Sequence, residues 1–223
     1  MGSSNLHRAF ELLAAHYGPQ RPAPADGPLE SLLSALLGDG ASHAKAEQAL
    51  HNLSEAGLLN VRRLAVLPID ELAELIQPAG DARKNAARVQ RVLQYVVQRW
   101  QGELDAMFET DAETLREELL AERGVGAATV DAILLLACRR PGFIADLAAH
   151  RVLKRHDWVE LEADGYALKE YVESGLDRDP DQLVEFHFLL ERVGREHCRK
   201  TPLCDGCPLA ELLPSGGPLG SEY

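Results

Sequence analysis

The sequence predicts an all-α protein, and three observations carry that expectation. Apolar residues recur at helical spacing in one segment after another, and no stretch alternates apolar and polar residues as a half-buried strand would. Glycine and proline punctuate these segments, at Gly18-Pro19, Gly38-Asp39-Gly40 and Pro78-Ala79-Gly80. The chain of 223 residues is long enough to bury a real core in one large or two small domains.

In chain order, Leu6 to Tyr17 reads as a short amphipathic helix closed by Gly18-Pro19, and Gln20 to Gly27 as a proline-rich connector of low order. Pro28 to Leu37 (PLESLLSALL) is a strongly apolar helix that stops at Gly38-Asp39-Gly40. Ser42 to Leu53 is another helix, with Ser42 as its N-cap. Val61 to Leu67 fits a short helix or a turn. Asp70 is expected to cap the segment reaching Ile76, which Gln77-Pro78-Ala79-Gly80 breaks. Asp81 to Trp100 is a long helix with Ala86, Val89, Val92, Leu93, Val96 and Val97 inside and arginines outside. Towards the C-terminus, His150 to Trp158, Gly165 to Ser174 and Asp179 to Gly194 are three further helices, the last burying Phe186, Phe188, Leu189 and Leu190. No fixed period repeats along the chain, which excludes a solenoid.

The most informative stretch runs from Leu115 to Arg155. Leu115, Leu119 and Leu120 fall at helical spacing, Gly124-Val125-Gly126 then breaks the pattern, and Thr129 to Leu136 resumes as a mostly buried helix. Glycines around one β-branched residue permit positive φ and leave N–H groups uncovered at the positive end of a helix dipole, a place that suits a phosphate or simply close packing. Asp146 follows the apolar Phe143-Ile144-Ala145 and precedes the basic run His150 to Arg155. By itself an aspartate there is a helix cap.

The formal net charge of −12 argues against a generic polyanion binder. The charge is uneven, however, with basic residues gathered at Arg83-Lys84, Arg88, Arg91, Arg139-Arg140, His150 to Arg155 and Arg192 to Lys200. Such runs are either solvated faces or a weak, strongly salt-dependent DNA footprint. Nothing reads as a secretory signal or a membrane span, so the expected location is intracellular. Four cysteines, three of them clustered, then point to metal rather than disulfides.

The run GVG-x-x-T-x-D-x-I-L-L, the Arg-Pro-Gly loop and the single Asp before a basic helix resemble the helix–hairpin–helix DNA glycosylases, the endonuclease III branch most closely. The resemblance covers nearly the whole chain. It implies a two-lobed fold with a C-terminal iron–sulfur-type loop: a helical barrel over residues 28–141 that contains the hairpin, and a second lobe made of 1–27 and 142–223 with a cysteine loop at 198–207. It implies base excision repair on double-stranded DNA carrying a damaged or mispaired base, by a monomer associated with the nucleoid. Asp146 takes the place of the family's catalytic aspartate, which would stabilise the oxocarbenium-like sugar or orient water. Gly124, Val125, Gly126, Ala128, Thr129 and Arg151 take the DNA-facing places.

The chain departs from the pattern in three places. Bifunctional members carry a lysine two residues after the second hairpin glycine, where its amine forms a Schiff base with the sugar. Here Ala128 stands there, so a glycosylase without lyase activity is implied. Related sequences often end the second helix with a glutamine that fills the gap left by a flipped base; here it is Leu36, a wedge by shape or an ordinary core leucine, with Asp39 either lining the cleft or lying exposed. The motif Cys198-x5-Cys204-x2-Cys207 resembles the family's [4Fe–4S] loop, but its first gap is one residue short and its fourth cysteine is missing. The readings left open are a cluster completed by His197 or a carboxylate, a zinc site, or a metal-free loop. Cys138 sits inside an apolar helix and reads as a small buried hydrophobe. The competing functional expectation is a non-catalytic binder of damaged DNA.

Overall fold

The structure is a computed structural model, and it describes residues 2–20, 27–38 and 43–220. Among these the protein is all-α, with no strand. Residues 21–26 of the expected connector, Asp39 and the expected cap Ser42 lie outside the described residues. The chain forms two compact units, one of Met1–Arg21 with Pro141–Tyr223 and the other of Pro22–Arg140.

The first helix, α1 (Gly2–Tyr17), belongs to the discontinuous unit. The continuous unit contains α2 (Pro28–Gly38), α3 (His43–Glu55), α4 (Val61–Leu64), α5 (Ile69–Leu75), α6 (Ala82–Trp100), α7 (Leu104–Glu109), α8 (Ala112–Leu120) and α9 (Ala127–Ala132). The chain then returns to the discontinuous unit as α10 (Leu147–Arg155), α11 (Gly165–Gly175) and α12 (Pro180–Glu196).

Side-chain caps set several of these boundaries. Asp81 accepts from the Lys84 N–H at 3.3 Å to open α6, and Asp111 accepts from Thr114 at 3.0 Å to open α8. Asp70 does not cap. Pro68 precedes α5, so Asp70 falls in its first turn, where its charge meets the helix dipole and pairs with Arg83. The helix expected from His150 begins at Leu147 instead, because Asp146 supplies its cap.

In the continuous unit, α2 is the core element. Leu32, Leu33, Leu36 and Leu37 are fully buried where it packs on α3, α6 and the π-turn that continues α9. A buried polar chain fixes its C-terminal end: Arg88 donates to the Leu36 carbonyl at 2.7 Å and to Asn85, which donates to the Ala79 carbonyl. In the discontinuous unit, Phe143 and Phe10 both lie against Phe186, with ring centroids 6.2 Å apart in each pair. Phe188, expected inside, is only half-buried. Helices α10 and α12 approach so closely at Gly194 that a Cβ there would stand 2.7 Å from the Ala148 Cβ. No helix among the described residues is long and apolar enough to cross a membrane.

Candidate active site and cysteine loop

Three local structures carry the expected site residues. The first is the hairpin between α8 and α9. Gly124 has φ +86, the left-handed conformation that favours glycine, whereas Gly126 is extended at φ −95 and ψ 166. Only the first of the two glycines therefore meets the expectation of positive φ. The turn is closed by the Val125 N–H on the Glu122 carbonyl at 3.1 Å, and Val125 buries its side chain beneath it. Thr129 is also buried, while Gly124 and Gly126 are exposed and Ala128 is half-exposed. No side chain caps α9 at Gly126, so the first amides of that helix remain available to an outside acceptor.

What holds the two hairpin helices together was not foreseen. Arg116 on α8 pairs with the buried Asp131 on α9 at 2.7 Å. The signal was present in an acidic residue whose same-face neighbours three and four positions on are Leu134 and Leu135. Beyond α9 the helix widens into a π-turn, Ile133–Ala137, with the Cys138 N–H on the Ile133 carbonyl at 3.0 Å. Burial pushes the Cys138 thiol up to about 12, against the opposing charge of Arg140, which fits its reading as a packing residue. Leu120 is not core; it is 44% exposed, unlike Leu115 and Leu119. Leu36 is fully buried with its carbonyl held by Arg88, so contact with DNA would require it to leave the core.

The second structure is the head of α10. Asp146 Oδ1 accepts from the Ala149 N–H at 2.8 Å, which fixes the carboxylate as the N-cap. The carboxylate is half-exposed, and its Oδ2 has no hydrogen-bond partner among the described residues. Leu147 beside it is 64% exposed. One turn on, burial lowers the His150 pKa, as does the charge of Lys154, while Asp146 and Asp164 raise it. Asp164 caps α11, and the following Gly165 lies close enough to Ala145 and His150 that a Cβ would stand 3.6 and 3.9 Å away. The loop before α11 thus brings a second carboxylate, Asp164, towards His150, a juxtaposition that sequence spacing alone does not reveal.

The third structure is the cysteine loop after α12. Cys198, Cys204 and Cys207 line one cavity of about 320 Å³, counted to its open mouth, together with Arg155, His156, His197, Leu203 and Leu213. Cys198 is buried and the other two thiols are half-exposed. Burial pushes the Cys198 thiol up, and the hydrogen bond and charge of Arg155 pull it down, helped by Arg151. Arg155 is 2% exposed; it donates to Cys198 Sγ at 3.3 Å, to the Arg199 carbonyl and to the Lys200 carbonyl at 2.8 Å. Its Nε, and that of Arg151, are buried with no partner. The basic run of α10 therefore does not uniformly face solvent. Arg151 and Arg155, four residues apart on one face, both approach the Cys198 thiol, and this includes the arginine expected at DNA. The signal was helical register, since Ala148, Val152 and Arg155 share that face.

Among the described residues neither arginine has a carboxylate partner, and a buried cation such as Arg155 is costly unless an anion balances it. This donor set fits an anionic thiolate-bound cluster. No three His, Cys, Asp or Glu among the described residues are gathered to hold a single metal ion; the three thiols share the lining of one cavity. At Leu213, six residues after Cys207, where the resemblance calls for a fourth cysteine, an apolar side chain lines the same space.

Elsewhere, the basic clusters expected as a DNA footprint are partly neutralised in place. Arg83 pairs with Asp70, Arg91 with Glu122, Arg192 with Glu196 and Arg195 with Glu191. Arg123, next to the hairpin glycine, is exposed and pairs with no carboxylate among the described residues.

No protein-family profile matches the chain. A protein of Methanocaldococcus jannaschii that carries the name of a DNA repair glycosylase is 34% identical over 93% of this chain and 94% of its own length. Endonuclease III of Sulfolobus acidocaldarius is 26% identical over 81% of this chain and 79% of its own. Among solved structures, a trapped endonuclease III–DNA covalent intermediate superposes with a TM-score of 0.75 at 20% identity, covering 96% of both chains. A thermostable thymine-DNA glycosylase does so with a TM-score of 0.68 at 18% identity, over 95% and 94%. At these identities the two structures establish a common fold. With the extent of the first likeness and the hairpin followed by a capped aspartate, they place the chain in the helix–hairpin–helix DNA glycosylase superfamily, among its endonuclease III-like members.

Proposed function

We propose that the protein hydrolyses the N-glycosidic bond of a damaged or mispaired base in double-stranded DNA, as a monomer, and leaves the strand uncut. The observation that carries this reading is the Asp146 carboxylate, held by one oxygen at the head of α10 with the other unengaged. As the base departs, positive charge grows on the sugar ring; a fixed carboxylate stabilises it and orients the incoming water. The uncapped amides after Gly126 and the exposed Gly124 backbone bind a phosphate of the same strand, and the buried Val125 and Thr129 keep that turn in shape. Arg123, rather than the inward-turned Arg151, is the cation best exposed to add to this contact.

Ala128 has no amine, so the Schiff-base route to strand cleavage has no nucleophile at its usual position. The three thiols around one cavity and the unbalanced guanidinium of Arg155 support a [4Fe–4S] cluster in the cysteine loop, where it would brace the loop rather than enter the reaction.

The test is a panel of duplexes carrying uracil, thymine glycol or a G·T mismatch, treated with alkali to reveal abasic sites. Base release without spontaneous nicking is expected. Asp146→Asn should lower it by roughly 10²-fold or more, while leaving the fold intact because asparagine also caps helices. Retained lesion binding with no release from any substrate would favour the non-catalytic binder. A borohydride-trapped adduct would show that another amine replaces the missing lysine.

A further inference from the structure

The cavity beside the cysteine loop has three thiols and, where a fourth would stand, Leu213. Two histidines also line it, His156 and His197. Both ring nitrogens of His156 face carbonyls, Nδ1 that of Val152 at 2.8 Å and Nε2 that of Leu209 at 3.3 Å. This leaves His197, the residue just before Cys198, as the imidazole with a nitrogen to offer. Its ring is already oriented. Nδ1 lies 3.1 Å from the Leu203 carbonyl, and the Leu203 N–H returns to the His197 carbonyl at 2.9 Å. A carbonyl oxygen only accepts, so Nδ1 carries the hydrogen in this contact, and the neutral ring keeps its lone pair on Nε2. Metal-binding histidines are characteristically held in this way, one nitrogen donating to a carbonyl and the other ligating. The residues on either side of the ring are tied down as well. Arg155 holds the carbonyls of Arg199 and Lys200, and the Cys198 N–H is bonded to the Val193 carbonyl at 2.8 Å.

We infer that His197 Nε2 is the fourth ligand of a three-cysteine iron–sulfur cluster held by Cys198, Cys204 and Cys207. The inference rests on the reading of this loop as a cluster site, and it adds the ligand that the cysteine spacing lacks. A neutral imidazole in place of a thiolate makes the ligand set one charge less negative, which raises the cluster's reduction potential relative to a four-cysteine site.

The experiment uses the full chain, purified anaerobically and reconstituted with iron and sulfide. Iron and sulfide analysis reports whether a cluster forms. Pulsed electron paramagnetic resonance on the reduced protein, with histidine labelled by ¹⁵N, reports a nitrogen ligand directly. Wild type is expected to bind iron and show a histidine nitrogen coupling. His197→Ala should lose the coupling and most of the iron. Leu213→Cys in the His197→Ala background should regain the iron without the coupling, a rescue that a merely misfolded variant would not show. A stable cluster lacking any nitrogen coupling in the wild type would overturn the role of His197 while leaving the cluster standing. A chain that takes up no iron and sulfide would overturn both.

Discussion

The hairpin and the cysteine loop are built on opposite principles. At the hairpin the exposed surface is backbone: two exposed glycines, a helix start without a side-chain cap and the half-exposed Ala128. Side chains there serve from beneath, as the buried Val125 and the Arg116–Asp131 pair do. At the cysteine loop the backbone is held by side chains that reach in from α10, with Arg155 making three hydrogen bonds. The first surface tolerates any side chain that leaves its amides uncovered. The second depends on one guanidinium whose charge no carboxylate among the described residues balances. A side-chain change at Ala128 would therefore leave the turn its shape, whereas removal of Arg155 would take three hydrogen bonds from the loop.

That contrast can be broken most directly at Arg155. With an anionic thiolate cluster in the cavity, Arg155→Met should destabilise the chain by about 3 kcal/mol, because it leaves buried negative charge unbalanced. The midpoint of chemical denaturation measures this. If the thiols are protonated and the cavity is empty, the same change removes an unbalanced buried cation, and the variant should be as stable as wild type or more so.

The matching test at the hairpin is smaller. Gly124→Ala places a Cβ on a backbone with φ +86, at a cost of about 1 kcal/mol. Gly126→Ala meets open space in an extended backbone and should stay within about 0.5 kcal/mol of wild type. Its effect should appear instead in DNA affinity, measured by fluorescence anisotropy, because the new methyl group crowds the bound phosphate. Unchanged affinity would remove this turn from the DNA interface.

The smallest effect is in pH. Burial and Lys154 hold the His150 pKa below its ordinary value, against the opposing pull of Asp146 and Asp164. The unfolded chain takes up a proton on this imidazole near pH 6.5 while the folded chain resists it, so stability falls as pH drops below about 6.5 and levels off once the folded value is passed. His150→Gln should flatten that segment of the stability profile.

Much of this could be read in the sequence, for reasons tied to particular residues. Helical periodicity and glycine breaks located the hairpin and the capped Asp146, because both depend on local chemistry within a few residues. Periodicity misjudged Leu120 and Phe188, whose exposure depends on which elements happen to pack across them. It also grouped Arg151 and Arg155 with the solvent-facing cations, since charge suggests water unless register is given more weight. The approach of Asp164 to His150, and of Arg155 to Cys198, joins residues far apart along the chain. Only the packed fold reveals those.

At Gly194 and Ala148, two helices meet with no room for even one more carbon atom. One bears the candidate acid at its head and the thiol-gripping guanidinium at its tail; the other leads straight into the ligand loop. Such a joint has no play. The nine residues of α10 work as a short strut pinned near its head, one residue past the helix start and beside the carboxylate.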